Sequence, residues 1–191
     1  MKSTLAITIN LINTLEQQIA MLLDEIEVTI KSPETPKNFS KNIELLLSLP
    51  GVGFITAVTI LSEIGDFSRF NKPKHLVAFF GIDPSVNESG QFKGNKNKMS
   101  KRGTRFGRRA LYAVALACTR KTKNGIPINS VLYDYKNSNL TGKKKKVAIG
   151  AIMHKILKYI FAILRDQKPY EIREPKIHNQ MFLNNPLKSA S

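Results

Sequence analysis

Eleven lysine and arginine residues crowd one interval of the sequence, between Glu88 and Asp134, in which no acidic residue occurs. A field of one sign on this scale repels itself unless a polyanion answers it, and phosphate backbones are the commonest such partner. Arg105 and Arg109 are four residues apart, so on a helix they share a face and can hold successive phosphates. The pattern predicts a nucleic acid partner, whereas a merely solvated basic surface usually has acidic residues interspersed. The eleven residues are Lys93, Lys96, Lys98, Lys101, Arg102, Arg105, Arg108, Arg109, Arg120, Lys121 and Lys123.

The charge of the whole chain is divided unevenly. Residues 1–66 hold four basic and eight acidic residues, a net of −4, and residues 67–191 hold 26 basic and six acidic residues, a net of +20, which sum to +16. The run of four lysines at 143–146 belongs to the second part, and it is either a solvated loop or a contact with a nucleic acid backbone. With 191 residues and 42% hydrophobic content, the chain is typical of a folded globular protein.

The single cysteine and the apolar segments indicate the compartment. Cys118 cannot form an internal disulfide and lies in an apolar helical stretch, so we expect a buried thiol in a reducing environment. No N-terminal segment combines a basic start, an apolar core and a cleavage site, and the longest apolar run, 147–164, is interrupted by His154, Lys155 and Lys158. We therefore expect a cytoplasmic protein without a membrane partner. No histidine or cysteine cluster has ligand spacing, so no metal site is expected in this chain.

The elements that must position the basic residues are predicted to be helices, which makes the fold all-α. Residues 1–30 carry apolar residues at alternating steps of four and three, with Glu16 as the one exception on the stripe. Such a heptad stripe predicts either a coiled coil, and hence a homo-oligomer through this helix, or an amphipathic helix packed on its own domain. Residues 31–39 contain two prolines and no periodicity, so they are predicted to be a linker. The stripe consists of Leu5, Ile9, Ile12, Ile19, Leu23, Ile26 and Ile30.

A helix, a tight turn and a second helix are predicted next, at the start of a domain covering residues 40–168. Ser40 is the expected N-cap of the first helix, residues 50–53 (PGVG) form the turn, and Gly65 ends the second helix. Glycines in such a turn leave backbone N–H groups accessible at a helix N-terminus, where a phosphate can bind. The pattern resembles the helix-hairpin-helix motif, although a turn of this kind can be purely structural. The predicted backbone contacts with DNA are Gly51, Val52 and Gly53.

Three further helices are predicted toward the C-terminus. A short helix begins after Asn71 as N-cap and ends at Gly81. Ser100 is expected to cap a helix over residues 103–122, which carries the arginines in its first turns and small apolar residues later. A third helix, 146–165, has isoleucines on one stripe and is predicted to lie in the core. Residues 169–191 lack periodicity and are predicted to be an extended tail.

The hairpin, the loop GIDPSVNESG and the segment MSKRGTRFGRRAL, in this order and spacing, resemble the C-terminal transposase domain of the IS110-type (IS116/IS110/IS902) family of RNA-guided DEDD transposases. The resemblance is strong over residues 43–125. It implies a serine nucleophile in a Ser-Gly loop, and Ser89, followed by Gly90, occupies that position. It also implies a separate RNase-H-like domain whose four acidic residues bind Mg²⁺, a coiled coil joining the two domains, and a guide RNA that pairs with the DNA.

The residues around Ser89 suit that implied role. In-line phosphoryl transfer needs positioning and cations around the phosphate oxygens, and a serine that attacks DNA would form a phosphoserine link. Glu88 stands where the family pattern often has a small polar residue, so its carboxylate is either a base or a source of repulsion. Ser85 and Ser100 are the competing nucleophiles. The basic residues expected to neutralise the phosphate are Lys93, Lys98, Lys101, Arg102, Arg105 and Arg109.

No segment of the sequence matches the implied nuclease domain, because the acidic residues before the hairpin crowd one helix. The sequence therefore predicts a truncated transposase that carries the serine and binds DNA but does not cleave DNA alone. Two alternatives remain open. One is a non-enzymatic nucleic-acid-binding module that uses the hairpin and the basic helix, and the other is a ribosomal-type RNA-binding protein.

Overall fold

The computed structural model describes residues 2–85, 88–89, 92–93 and 98–173, and the regular structure within them is almost entirely helical. The prediction of an all-α fold is therefore confirmed. One antiparallel pair of strands, of two residues each, is an addition that the sequence analysis did not predict. The elements are α1 (Lys2–Lys31), α2 (Asn38–Leu47), α3 (Phe54–Ile64), a 3₁₀ turn (Phe67–Arg69), α4 (Pro73–Phe79), β1 (Glu88–Ser89), β2 (Phe92–Lys93), α5 (Arg105–Cys118), α6 (Ser130–Asn139) and α7 (Lys145–Asp166).

The chain forms two compact units, Met1–Lys41 (unit 1) and Asn42–Ser191 (unit 2). Unit 1 consists mainly of α1, and all residues from 3 to 22 on this helix are exposed. Ile12 and Ile19, on the predicted stripe, are 49% and 56% exposed. The first four residues of the apolar stripe are therefore exposed in the single chain, whereas the last three, Leu23, Ile26 and Ile30, are half-buried. The predicted domain boundaries at residues 31–39 and 169 remain predictions.

Helix α7 is central to the core of unit 2 and packs against α4, α5 and α6. Its observed range of Lys145–Asp166 confirms the predicted helix at 146–165. The 3.6-residue period places the predicted isoleucine stripe on one face, and every member of the stripe is buried. The stripe consists of Ile149, Ile152, Ile156, Ile160 and Ile163.

Helices α3 and α5 pack against each other in opposite directions. At one end, the Cys118 thiol at the end of α5 donates to the Pro50 carbonyl in the turn before α3, at 3.0 Å. At the other end, the Thr104 hydroxyl before α5 donates to Oε1 of Glu63 near the end of α3, at 3.0 Å. The start of each helix therefore lies beside the end of the other. Cys118 is fully buried, which confirms the predicted burial of the single thiol.

The predicted helix caps are only partly correct. Gly65 ends α3, and its N–H donates to the Leu61 carbonyl. Ser40 is not an N-cap because α2 begins two residues earlier, at Asn38, and the cap of α4 is Lys72, one residue after the predicted Asn71.

The predicted helix over residues 103–122 is too long, and its predicted cap is wrong. Helix α5 covers Arg105–Cys118, and its N-cap is Thr104, whose hydroxyl accepts from the Phe106 N–H at 3.2 Å. Ser100 is not a cap because its hydroxyl donates to the Asp83 carboxylate at 2.5 Å.

The sequence analysis did not predict α6, although Asn129 is a favourable N-cap residue. The Asn129 side chain is fully buried, accepts from the Leu132 N–H at 3.0 Å and donates to the Tyr170 hydroxyl at 3.4 Å. Tyr170 also donates its N–H to the Ser48 hydroxyl at 2.7 Å. The first residues after α7 are thus packed against the rest of unit 2. Residues 174–191 of the predicted tail lie outside the described part of the chain.

Helix α7 also bears on the expected absence of a membrane partner. Its 22 residues are long and apolar enough to cross a bilayer, and 56% of its most apolar window is buried inside unit 2. His154, Lys155 and Lys158 were expected to make this helix too polar for a membrane span, but its length and composition still allow one. The burial is that of a core helix, and the absence of a membrane partner remains a prediction.

Candidate nucleic-acid interface

Two chain segments pair at the base of the loop that carries Ser89. Pro84 and Met99 form an antiparallel bridge, and the Ser85 N–H donates to the Lys98 carbonyl at 2.6 Å. The Ser100 N–H donates to the Asp83 carbonyl at 2.9 Å, next to the bond between their side chains. Both ends of the loop are therefore tied together where the basic segment 98–109 begins.

The basic segment then crosses the end of α4 at very short range. A Cβ on Gly103 would lie 1.9 Å from the Phe79 carbonyl oxygen, and a Cβ on Gly81 would lie 2.6 Å from the Arg102 nitrogen. The Lys101 N–H donates to the Gly81 carbonyl at 2.9 Å, and Lys101 itself has a φ of 56°. Only glycine permits this approach at position 103, so the sequence Lys-Arg-Gly fixes the backbone that presents the two cations before it.

Arg108 holds the same crossing from the helix side. Its Nη1 donates to the carbonyls of Gly103 at 2.5 Å, Lys101 at 3.3 Å and Phe80 at 3.4 Å. Bonds from a charged donor to backbone carbonyls are stronger than neutral ones. Arg108 is therefore a positioning residue for the basic segment, since its charge is used inside the protein.

The remaining basic residues of this segment are free to meet a ligand. All five are exposed, and no described group of the chain forms an ion pair or hydrogen bond with their charged ends. The described basic segment therefore carries five of the predicted DNA contacts, and the two carboxylates beside it, Asp83 and Glu63, accept from the hydroxyls of Ser100 and Thr104 instead of pairing with these cations. The five contacts are Lys98, Lys101, Arg102, Arg105 and Arg109.

Ser89 lies on β1, where it is in register with Phe92, and Glu88 is in register with Lys93 on β2. The side chains of these four residues lie outside the described part of the structure, as do residues 86–87, 90–91 and 94–97. Ser89 and Lys93 are therefore located only by backbone position, and their roles remain predictions.

The Pro-Gly turn is built by packing and by its own hydrogen bonds. Gly51 has a φ of +100°, and a Cβ there would lie 2.7 Å from the Cys118 sulfur. The Val52 N–H donates to the Leu49 carbonyl at 3.0 Å, and the Gly53 N–H donates to the Thr56 hydroxyl at 2.9 Å. Two of the three backbone donors predicted to bind DNA are thus already used inside the turn.

The two predicted DNA-binding elements lie at opposite ends of α5. The turn contacts Cys118 at the C-terminal end, whereas the basic segment leads into the N-terminal end at Arg105. The 14 residues of α5 separate these ends by about 20 Å. That distance corresponds to about six base pairs along a duplex, so one duplex can reach both ends.

Sequence reasoning missed the internal roles of Arg108 and of the Thr104–Glu63 pair. The sequence does not distinguish Arg108 from the neighbouring arginines, because its partners are backbone carbonyls, which every residue has. Thr104 precedes the first arginine of α5 and is a good cap residue by type. Its identity as the cap could have been read from the sequence if Ser100 had not been preferred.

Among the described residues, the Cys118 thiol is not a reactive group, and the acidic and histidine side chains form no metal-binding cluster. Burial raises the pKa of the Cys118 thiol to about 12, so it is neither a nucleophile nor a metal ligand at neutral pH. No group of three or more histidine, cysteine, aspartate and glutamate side chains that could hold a metal ion occurs within the described ranges. The Mg²⁺ implied by the family resemblance therefore has no fitting ligand set in the described residues.

Comparison with known proteins decides what this basic domain is. Residues 43–127 match the Transposase IS116/IS110/IS902 family, and they include α3, α4, α5 and the loop with Ser89. This segment is a transposase domain of that family. The match confirms the family resemblance predicted from the hairpin and the two motifs.

Relatives of the transposase domain occur in several bacteria, and two of the three described below belong to insertion elements. An uncharacterized 43.6 kDa protein of insertion element IS110 from Streptomyces coelicolor is 31% identical over 69% of this chain and 31% of its own length. The pilin gene-inverting protein of Moraxella bovis is 31% identical over 68% of this chain and 38% of its length. The transposase for insertion sequence element IS1111A of Coxiella burnetii is 29% identical over 69% of this chain and 35% of its length. The chain thus spans about a third of the length of these relatives.

Proposed function

We propose that the protein acts in DNA transposition as the DNA-binding and serine-bearing part of an insertion-sequence transposase. The observation that carries the proposal is the exposed basic segment, whose five free cations are presented by a backbone locked against α4 inside a transposase-family domain. A stiff presentation of this kind lowers the entropy that a phosphate contact costs. The affinity for DNA is expected to come mainly from phosphate contacts, without base reading.

DNA binding is tested by the salt dependence of duplex affinity. The logarithm of the binding constant should fall steeply as salt rises, and Arg105→Gln or Arg109→Gln should reduce the slope by about 0.9 each. Asn137→Gln, an exposed change outside the basic segment, is the matched control. A slope that neither arginine changes would contradict the proposal for this surface.

The Pro-Gly turn is part of the same proposal, with Gly51, Val52 and Gly53 beside the phosphate backbone. Because two of the three N–H groups are used internally, the available donors are Gly51 and the first N–H groups of α3, which lack intrahelical acceptors as in any helix. Val52 is half-buried, and Val52→Glu should repel the phosphate backbone of DNA and weaken duplex binding. Unchanged binding in Val52→Glu would limit the interface to the basic segment.

The serine step is a transesterification. The Ser89 Oγ would attack a DNA phosphorus, the new Oγ–P bond would form as the bond to a sugar oxygen breaks, and the serine proton would end on that oxygen. One phosphodiester replaces another, so the bond energy is kept for rejoining. Lys98, Lys101 and Arg102 follow the loop directly in the chain and supply the charge that such a step needs.

We propose that this step needs a separate metal-bearing polypeptide, because the described residues offer no carboxylate cluster. The test mixes the chain with the separately expressed remainder of a full-length relative, its guide RNA, donor DNA and target DNA, and looks for a covalent protein–DNA adduct. Ser89→Ala should abolish the adduct, and Ser85→Ala should keep it. If Ser100→Ala abolishes the adduct and Ser89→Ala does not, the nucleophile is Ser100, whose hydroxyl donates to the Asp83 carboxylate. DNA cleavage by the purified chain would refute the dependence.

An oligomer formed through α1 is the remaining part of the proposal. A second copy is the expected partner because the stripe repeats every three and four residues and its first four members are exposed. The variant Ile12→Asp with Ile19→Asp should lower the mass measured by light scattering. Ile7→Asp, 69% exposed and off the stripe, should leave the mass unchanged. A monomeric parent chain would exclude this assembly.

The second candidate function is a non-enzymatic nucleic-acid-binding module, which would need only the exposed cations of the basic segment. It predicts that Ser89→Ala changes nothing measurable while Arg109→Gln weakens binding. The adduct experiment separates the two candidates.

A further inference from the structure

The outward face of α5 carries aromatic rings among its arginines. Phe106 is 66% exposed and Tyr112 is 41% exposed, and Arg109 stands between them at a spacing of three residues on each side. Residues three or four apart on a helix are surface neighbours, so the order is ring, guanidinium, ring. The opposite face of α5 is the core face, with Leu111 and Val114 fully buried.

Within the described part of the chain, these two rings make no ring pair or cation–π contact. Ring pairs and cation–π contacts in the described part of the chain engage other aromatics, such as Phe79 with Phe80 and Lys155 with Tyr135. No such contact there includes Phe106 or Tyr112. A large ring left in water forgoes most of the free energy that its burial would give. An occupant that covers Phe106 is therefore favoured.

The charge around the rings selects the class of occupant. Arg105 and Arg109 are exposed and lack a described partner, and Arg102 is exposed just before the helix. An apolar protein surface laid over Phe106 would have to desolvate these guanidinium groups without pairing them, which is costly. A nucleic acid strand offers phosphates for the arginines and flat bases for the rings.

We propose that Phe106, assisted by Tyr112, stacks against an unpaired nucleobase of a strand whose phosphates lie on Arg105 and Arg109. The base must be unpaired because bases inside a duplex are already stacked on both faces. The inference rests on the proposed DNA binding and deepens it, since it assigns to α5 a preference for strand ends, overhangs or opened duplex. Phe106 is a recognition residue in this assignment and has no part in bond breaking.

The experiment compares a short duplex with the same duplex extended by an unpaired overhang that contains 2-aminopurine, whose fluorescence changes when it stacks. The full-length chain should bind the overhang more tightly and alter its fluorescence. Phe106→Ala should lose about tenfold in affinity for the overhang and keep its affinity for the duplex. Phe106→Leu, which keeps an apolar side chain without a ring, should lose nearly as much, and Phe106→Trp should retain binding.

Ile126→Ala is the matched control because Ile126 is 62% exposed and lies outside α5, so no effect is expected. An RNA overhang of the same sequence distinguishes the source of the base, and tighter binding of either overhang supports the inference. Equal affinity of the parent chain and Phe106→Ala for both overhangs would overturn it, as would a change in oligomeric mass in Phe106→Ala, which would make this face a protein interface. Failure of the parent chain to bind the plain duplex would instead refute the proposed function.

Discussion

The two ends of α5 are assembled in the same way, but the segments packed there differ in charge. At the C-terminal end, the turn with Gly51 packs against Cys118, and at the N-terminal end, the segment with Gly103 packs against the end of α4. Each contact places a glycine where a Cβ would collide with backbone or a buried sulfur. At the first contact, the backbone N–H groups of Val52 and Gly53 form hydrogen bonds within the protein. At the second contact, five cations are exposed.

This difference shows that a glycine turn before a helix is not by itself a sign of anion binding. A close approach between backbones requires glycine for steric reasons at both ends. What separates the two contacts is the charge of the packed segment itself, because the basic segment 98–109 carries five exposed cations and the Pro-Gly turn at 50–53 has no charged residue. The basic segment is therefore the primary candidate interface, and the Pro-Gly turn is a secondary one.

The largest expected effect is the loss of the crossing at the N-terminal end. In Gly103→Ala the new Cβ would lie 1.9 Å from the Phe79 carbonyl oxygen, so the free energy of unfolding should fall by about 3 kcal/mol. Gly53→Ala, with its nearest neighbour at 3.9 Å, should cost about 0.5 kcal/mol as a weaker cap. Chemical denaturation measures both. Equal stability of the two variants would mean that the crossing is looser than its geometry indicates.

The parts of the fold that were predictable are those set by local pattern. The stripe of α7 and the cap at Gly65 depend on residues close in sequence, and both were predicted correctly. The end of α5, the role of Ser100 and the role of Arg108 depend on segments that meet only in the folded chain. Ser100 meets Asp83, 17 residues away in sequence, and Arg108 meets the carbonyl of Phe80, 28 residues away.

The candidate site divides in the same manner. The sequence identifies the exposed cations because charge needs no tertiary context, and it identifies Ser89 only through a family resemblance. It does not reveal that the turn and the basic segment lie at opposite ends of one helix, since that follows from the antiparallel packing of α3 on α5.

A pair of arginines, one turned inward and one outward, sharpens the comparison. Arg108→Gln removes charged bonds to three carbonyls and should lower the free energy of unfolding by about 2 kcal/mol. Arg109→Gln should change stability by less than about 0.5 kcal/mol and reduce DNA affinity instead. Denaturation and duplex binding are measured on both variants. If both variants lose affinity and neither loses stability, Arg108 belongs to the interface.

The buried thiol at the other end gives a dependence on pH. Its pKa is 9.0 ordinarily and is raised to about 12 by burial in the folded chain. Stability from this group is therefore complete below pH 9 and is lost as pH rises toward 12, because only the unfolded thiol ionises in that window. Between pH 8 and pH 10 the loss is on the order of 1.4 kcal/mol.

Urea denaturation at the two pH values checks this loss. Cys118→Ser keeps a donor for the Pro50 carbonyl but does not titrate in that range, so it should lose less stability than the parent by that amount. Identical pH dependence in the two proteins would show that the Pro-Gly turn opens enough to hydrate the thiol.

The smallest expected effect concerns the cap that joins α5 to α3. Thr104→Ala removes the acceptor for the Phe106 N–H and the donor to Glu63, and it should cost about 1 kcal/mol. Thr104→Ser retains both bonds and should stay within about 0.5 kcal/mol of the parent. At the other end, Thr56→Ala removes the partner of the Gly53 N–H and releases a donor at the Pro-Gly turn. Thr56→Ala should cost as much stability as Thr104→Ala, and a higher duplex affinity would show that internal hydrogen bonds limit phosphate binding at the turn. Unchanged affinity would mean that, of the Pro-Gly turn and the basic segment, only the basic segment contacts phosphates.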